Sequence, residues 1–176
     1  ADYFINDISL MNNRGAGGGG GGANDTVGNQ APVFKVESAK TRTVKVGEPV
    51  TLTGFITDDD KPKRVGLPPV TPPSRERGNR GAGGGTPNSA TGLRLSWFVY
   101  RGAGPVAFDP PQIDVWENYK AGVNSPWAPG WNTPPTPPDG KWVTKTTFNA
   151  PGTYVLRGLA TDGGLSASED ITFVVQ

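Results

Sequence analysis

The stretch "FNAPGTYVLRGLATDGGLSASEDITFVV", residues 148–175, decides the fold. Two runs that begin in it, 152–161 and 169–176, are rich in β-branched and aromatic residues and alternate with a period of two. That pattern belongs to half-buried β-strands. Between them lies "TDGG", whose Asp and Gly residues favour a turn. Ahead of them, "APG" breaks any continuing strand and leaves Tyr154 near the start of the next one.

The same period recurs upstream. "PVFKVES" (32–38) and "RTVKV" (42–46) alternate, and "GEPVTLTGFITDDD" (47–60) places Val50, Leu52, Gly54 and Ile56 on one face. "LRLSWFVY" (93–100) does the same with Leu93, Leu95, Trp97 and Val99, and "KWVTKTTF" (141–148) follows the pattern. "QIDVWENYK" (112–120) is also expected to be a strand. No segment sustains a helical period. About seven short strands with Gly/Pro punctuation predict an all-β, antiparallel sandwich, and their order fits an immunoglobulin-like (Ig-like) topology. Trp97 then takes the place of the buried tryptophan of strand C, and Tyr154 that of the tyrosine at the E–F corner. Leu52 and Leu156 stand where such sandwiches often carry a disulfide.

Composition excludes several classes of chemistry. The 176 residues contain neither Cys nor His. A thiolate nucleophile, a disulfide, a Cys/His zinc or blue-copper site and a Ser–His–Asp triad are therefore impossible. Lys and Arg number 17 against 16 Asp and Glu, so no global field attracts nucleic acid, and no nucleic-acid partner is expected. No apolar run nears the roughly 20 residues that span a bilayer. "AD" at the start reads as the end left by signal-peptide cleavage, which predicts a periplasmic or otherwise extracytoplasmic location.

The 26 Gly and 18 Pro are concentrated in particular segments, which sets the domain plan. Residues 1–30 form an apolar arm and a Gly-rich linker, and residues 31–176 the sandwich. Two long insertions interrupt it, at 58–92 and 101–140. Loops of this length are usually functional or disordered. The arm carries Tyr3, Phe4, Ile5, Ile8, Leu10 and Met11, which would either fold back on the domain or dock on a partner.

Three constellations are candidates for function. Asp58, Asp59 and Asp60 end one strand and Asp162 another, at the same end of the sandwich. Hard oxygen ligands there would suit Ca²⁺, with Asp58, Asp60 and Asp162 as ligands, or the carboxylates simply build turns. The second insertion brings Phe108, Trp116, Tyr119, Trp127 and Trp131 onto irregular chain. These aromatics could seal the loop against the sheet, anchor a protein partner or stack on a sugar. Trp116, Trp127 and Trp131 are the expected partner contacts. The basic residues Lys61, Lys63, Arg64, Arg75, Arg77 and Arg80 lack interleaved aromatics for base stacking and suit solvent, anionic lipid heads or an acidic subunit. Paired carboxylates without a deep cleft make a glycosidase a poor fit, and no P-loop occurs. No catalytic residue and no cofactor are expected.

The runs "VGEPVTLTGFITDDD", "LSWFVYRG" and "PGTYVLRGLATDG" resemble the polycystic-kidney-disease and related Ig-like domains of exported bacterial proteins, over roughly residues 31–176. The two long insertions depart from that pattern. "FDPPQIDVWENYKAGVNSPWAPGW" resembles an insertion in exported proteins of gemmatimonads and acidobacteria. The whole is similar to membrane-extrinsic subunits of photosynthetic assemblies. That resemblance implies a non-catalytic scaffold on the periplasmic face, with reaction-centre and antenna polypeptides as partners. An exported Ca²⁺- or carbohydrate-binding module is the alternative.

Overall fold

Strand pairing divides the chain into two four-stranded sheets packed face to face. A computed structural model describes residues 28–67, 69 and 89–176. The expected contact residues Tyr3, Phe4, Ile5, Ile8, Leu10 and Met11 lie outside the described residues, as do Arg75, Arg77 and Arg80. The strands are β1 (Val33–Val36), β2 (Thr41–Val44), β3 (Val50–Thr57) and β4 (Arg94–Arg101), then β5 (Val106–Asp109), β6 (Lys141–Phe148), β7 (Gly152–Thr161) and β8 (Ser166–Val175). One sheet has the order β1-β3-β6-β5 and the other β2-β8-β7-β4. All pairings are antiparallel except β2 with β8, which is parallel. Read as A-B-E-D and A′-G-F-C, this is the Ig-like sandwich.

The alternation seen in the sequence sets the core. On β3, Val50, Leu52, Gly54 and Ile56 are buried, while Thr51, Phe55 and Thr57 are exposed. Trp97, Leu156, Ile171 and Phe173 join them in one cluster, so Leu52 and Leu156 fill a disulfide's place with apolar volume. Burial of each such side chain is worth about 1.5–3 kcal/mol. Phe34 inserts between the sheets, edge-on to Trp97, with ring centroids 6.0 Å apart. Two glycines make room for it. A Cβ at Gly54 would lie 2.7 Å from the Phe34 ring, and one at Gly158 would lie 2.8 Å from it.

Tyr154 fixes the turn between β6 and β7. Its ring is fully buried against Phe148, and its hydroxyl donates to the Ala150 carbonyl at 2.9 Å. This is the tyrosine corner expected from "APGTY".

The structure corrects three strand expectations. Residues 112–120 are not a strand. Their polar side chains satisfy backbone and one another instead: Gln112 accepts the Trp97 N–H at 2.9 Å on the free edge of β4, and Asn118 donates to Asp114 at 2.9 Å. The additional strand is β5, which raises the described total to eight. It has four residues, closed off by "GAGP" and "PP", too few for its period to show in the sequence. As strand D it divides the 101–140 insertion, leaving a short turn and a long D–E loop from 110 to 140. Finally, β8 begins at Ser166, three residues before the expected 169.

Candidate functional site

The described parts of the two long loops meet at one end of the sandwich. Val65 and Thr91 exchange backbone hydrogen bonds within the B–C loop. The D–E loop joins them, with Leu67 N–H to Trp131 carbonyl at 3.0 Å and Ala90 N–H to Pro126 carbonyl at 2.8 Å. Thr133 Oγ1 donates to the Thr91 carbonyl at 2.8 Å. Gly92 N–H then reaches the Asp162 carbonyl in the F–G turn at 2.7 Å. Arg94, Ser96, Leu159 and Thr161 point outward by register with the core residues, yet all four are buried. The loops thus add a layer over that half of the sheet. Its own small core holds Ile113, Ser125, Pro126, Ala128 and Thr133.

The acidic residues meet at this end, as expected, but they serve turns. Asp162 is fully buried. Its Oδ1 accepts the N–H groups of Gly164 at 2.5 Å and Leu165 at 2.7 Å, and its Oδ2 accepts Asn29 at 3.0 Å. Burial pushes its carboxyl up from the usual range, against the pull of those donors and of Arg94. Asp58 accepts the Asp60 N–H, and Asp59 accepts those of Lys61 and Gln30, each at 3.2 Å. Asp60 takes the left-handed conformation, with φ 57°. Burial, then Asp162 and Asp59, pushes the Asp58 carboxyl up to about 6. Among the described residues, no group of three or more acidic side chains is arranged to hold a metal ion. The geometry of Asp58, Asp60 and Asp162 gives the Ca²⁺ expectation no support.

The aromatics of the D–E loop divide into two sets. Trp127 and Trp131 are half-buried. The Trp131 indole donates to Asn124 Oδ1 at 2.9 Å, and its carbonyl holds the B–C loop. The Trp127 indole N–H is buried without a partner. The Trp131 ring therefore helps fold the insertion on itself. Trp142, at the start of β6, packs against the core. Trp116, by contrast, is 60% exposed and Tyr119 46%. They sit on an excursion from 114 to 124 whose base is closed by Asp114 N–H to Asn124 carbonyl at 2.8 Å. Asn118 bonds Asp114 and receives the Lys120 N–H, and the Tyr119 hydroxyl donates to Glu117 at 2.5 Å. This excursion holds two large aromatics in water on braced chain.

Sequence reasoning missed one feature of the uncovered half of the β2-β8-β7-β4 sheet. Arg157 lies 3.8 Å over the Tyr100 ring and makes a two-point ion pair with Asp170, at 2.7 and 2.8 Å. The pair holds the Asp170 carboxyl below its usual range and raises the Arg157 guanidinium. Only the cross-strand register, Phe98 with Arg157 and Arg157 with Asp170, brings these residues together.

Strand order, the tyrosine corner and Trp97 define an Ig-like β-sandwich. No protein-family model matches the sequence, and comparison with curated proteins gives no match. Solved structures do align. Domains 4 and 5 of the S-layer protein SbsC match 82% of this chain at 10% identity and a TM-score of 0.35, and the chain spans about half (53%) of that fragment. A chimeric titin Z1Z2 matches 84% of this chain and 96% of its own length, at 12% identity and a TM-score of 0.38. The Yersinia pseudotuberculosis adhesin InvE matches 81% of this chain and 31% of its own, at 11% identity and a TM-score of 0.36. Among the described residues, no helix is long and apolar enough to cross a membrane.

Proposed function

We propose that this chain is a non-catalytic, extracytoplasmic scaffold subunit that holds a larger complex together. The observation that carries this reading is Trp116, 60% exposed beside Tyr119 on an excursion braced by hydrogen bonds. Large aromatics preordered on a loop lose little entropy on docking and are typical interface anchors. The sandwich supplies a rigid mount. The apolar arm with Tyr3, Phe4, Ile5, Ile8, Leu10 and Met11 is a second reach toward the same assembly. In its finer form, the proposal places the chain on the periplasmic side of a membrane complex, linking a photosynthetic reaction centre to its light-harvesting ring. That form rests on the sequence resemblance alone.

Purification of the tagged chain from native membranes tests the reading. The wild type is expected to retain membrane subunits. The double variant Trp116→Ala, Tyr119→Ala is expected to lose them with its melting temperature unchanged. Retained partners would refute the reading. Trp116-dependent retention on a glycan array, with no protein partner, would assign the aromatics to sugar instead.

A further inference from the structure

The outer face of the β1-β3-β6-β5 sheet lies on the side of the sandwich away from the Tyr100–Arg157 face, and the D–E aromatics do not use it. Its outward residues follow from the register. Lys35, Phe55 and Lys141 form one row across three strands, and Thr53 and Val143 the next. Thr51, Lys145 and Asp109 form a third, and Val33 stands opposite Thr57. Val33, Phe55 and Val143 are 55%, 39% and 49% exposed, an unusual concentration of apolar surface on a sheet facing water. Lys141 lies 5.9 Å from the Phe55 ring centroid, so a cation sits directly beside the central aromatic. Carboxylates stand toward the margins: Asp109 opposite Lys145 on the β5 edge, Glu37 just beyond β1 and Asp139 just before β6. Neither of the ion pairs Lys40–Glu169 and Arg157–Asp170 involves these lysines.

We propose that this face docks on an anionic lipid surface. The charge points to an anionic occupant, and the choice of cation selects among such occupants. All three cations on the face are lysines. Protein interfaces are depleted in lysine and favour arginine, tyrosine and tryptophan, whereas a lipid surface attracts lysine as a point charge. Lysine stems can lie along apolar surface while the ammonium groups reach phosphates, and Val33, Phe55 and Val143 enter the headgroup boundary between them. The intervening Thr51, Thr53 and Thr57 add hydroxyl donors. A second copy of this chain is a poor occupant, because a two-fold contact through this face would set lysines against lysines. The inference does not depend on the Trp116 reading, and it places lipid contact on the sheet instead of on the basic B–C loop.

Co-sedimentation of the full chain with vesicles decides it. Binding is expected to phosphatidylcholine vesicles containing phosphatidylglycerol, not to phosphatidylcholine alone, and to disappear in high salt. At roughly fivefold per lysine, replacing Lys35, Lys141 and Lys145 together by Gln is expected to weaken binding about a hundredfold. Phe55→Ser is expected to weaken it severalfold. Thermal melts confirm that these surface variants fold. Arg75→Gln, Arg77→Gln, Arg80→Gln and Trp116→Ala, Tyr119→Ala are expected to bind as the wild type does. Equal binding to neutral vesicles, no binding at low salt, or loss through the Arg75–Arg80 variant instead would each overturn the inference. Lysine-dependent retention on immobilised polyglutamate without vesicle binding would also overturn it, and would assign the face to an acidic protein.

Discussion

Replacing Asp58 by Asn should stabilise the protein at neutral pH and do nothing in acid. Asp58 lies beside Asp162 and Asp59, partly buried, and its carboxyl is pushed up from 3.8 to about 6. The folded state therefore binds a proton more tightly than the unfolded chain does. Stability from this group is fully present below about pH 4, and is lost as pH rises through about 6. At about 1.4 kcal/mol per pH unit, the full rise corresponds to about 3 kcal/mol. Asp58 is only half-buried, so solvent screening reduces this to about 1 kcal/mol. For a domain of this size, that equals a rise of about 2–4 °C in melting temperature. Asn keeps an oxygen to accept the Asp60 N–H, so the turn survives the change. Paired melts of wild type and Asp58→Asn from pH 4 to pH 8 isolate the effect, with that of its pairing to Asp162, from Asp170, which both proteins share. The difference should be near zero at pH 4 and reach its full value above pH 7. A variant less stable than wild type at pH 7.5, or a difference independent of pH, would refute the electrostatic account.

Further substitutions probe the frame that carries the loops. Tyr154→Phe leaves the Ala150 carbonyl without its hydroxyl partner and should cost about 1–2 kcal/mol, read by urea denaturation. Gly158→Ala drives a methyl group into Phe34 and Trp97 and should cost about 1–3 kcal/mol; an unchanged midpoint would mean that the Phe34 slot is looser than described. Arg157→Ala removes the ion pair that holds Asp170 down. The stability Asp170 contributes above the usual carboxylate range, and loses as pH falls, should vanish with it, flattening that part of the acid limb of the melting curve.

Much of the sandwich was legible because its signals are local. Period-two runs marked seven strands, and "APGTY" marked the corner that Tyr154 closes. The face assignments of Val50, Leu52, Ile56 and Trp97 follow from alternation alone. The failures came where tertiary context outweighs local pattern. Residues 112–120 carry strand-like composition, but Gln112 and Asn118 satisfy the backbone with side chains and Asp114 holds Asn118, which no propensity anticipates. Strand β5 is an edge strand of four residues, held by pairing with β6. The aromatic set was visible as a group. Its division was not, because the seating of Trp131 depends on Asn124 and on the B–C loop across the fold. The acidic cluster was correctly brought to one end, but residue types alone could not show that Asp162 would be saturated by the N–H groups of its own turn.

The central claim is that Trp116 and Tyr119 meet another protein in the assembled state. A photo-crosslinking amino acid placed at position 116 of the full chain, irradiated in native membranes, tests it most directly. The account predicts a discrete adduct with a protein subunit of a membrane complex, absent when the same group replaces half-buried Trp131. No adduct at position 116, or equal adducts at both positions, would contradict it.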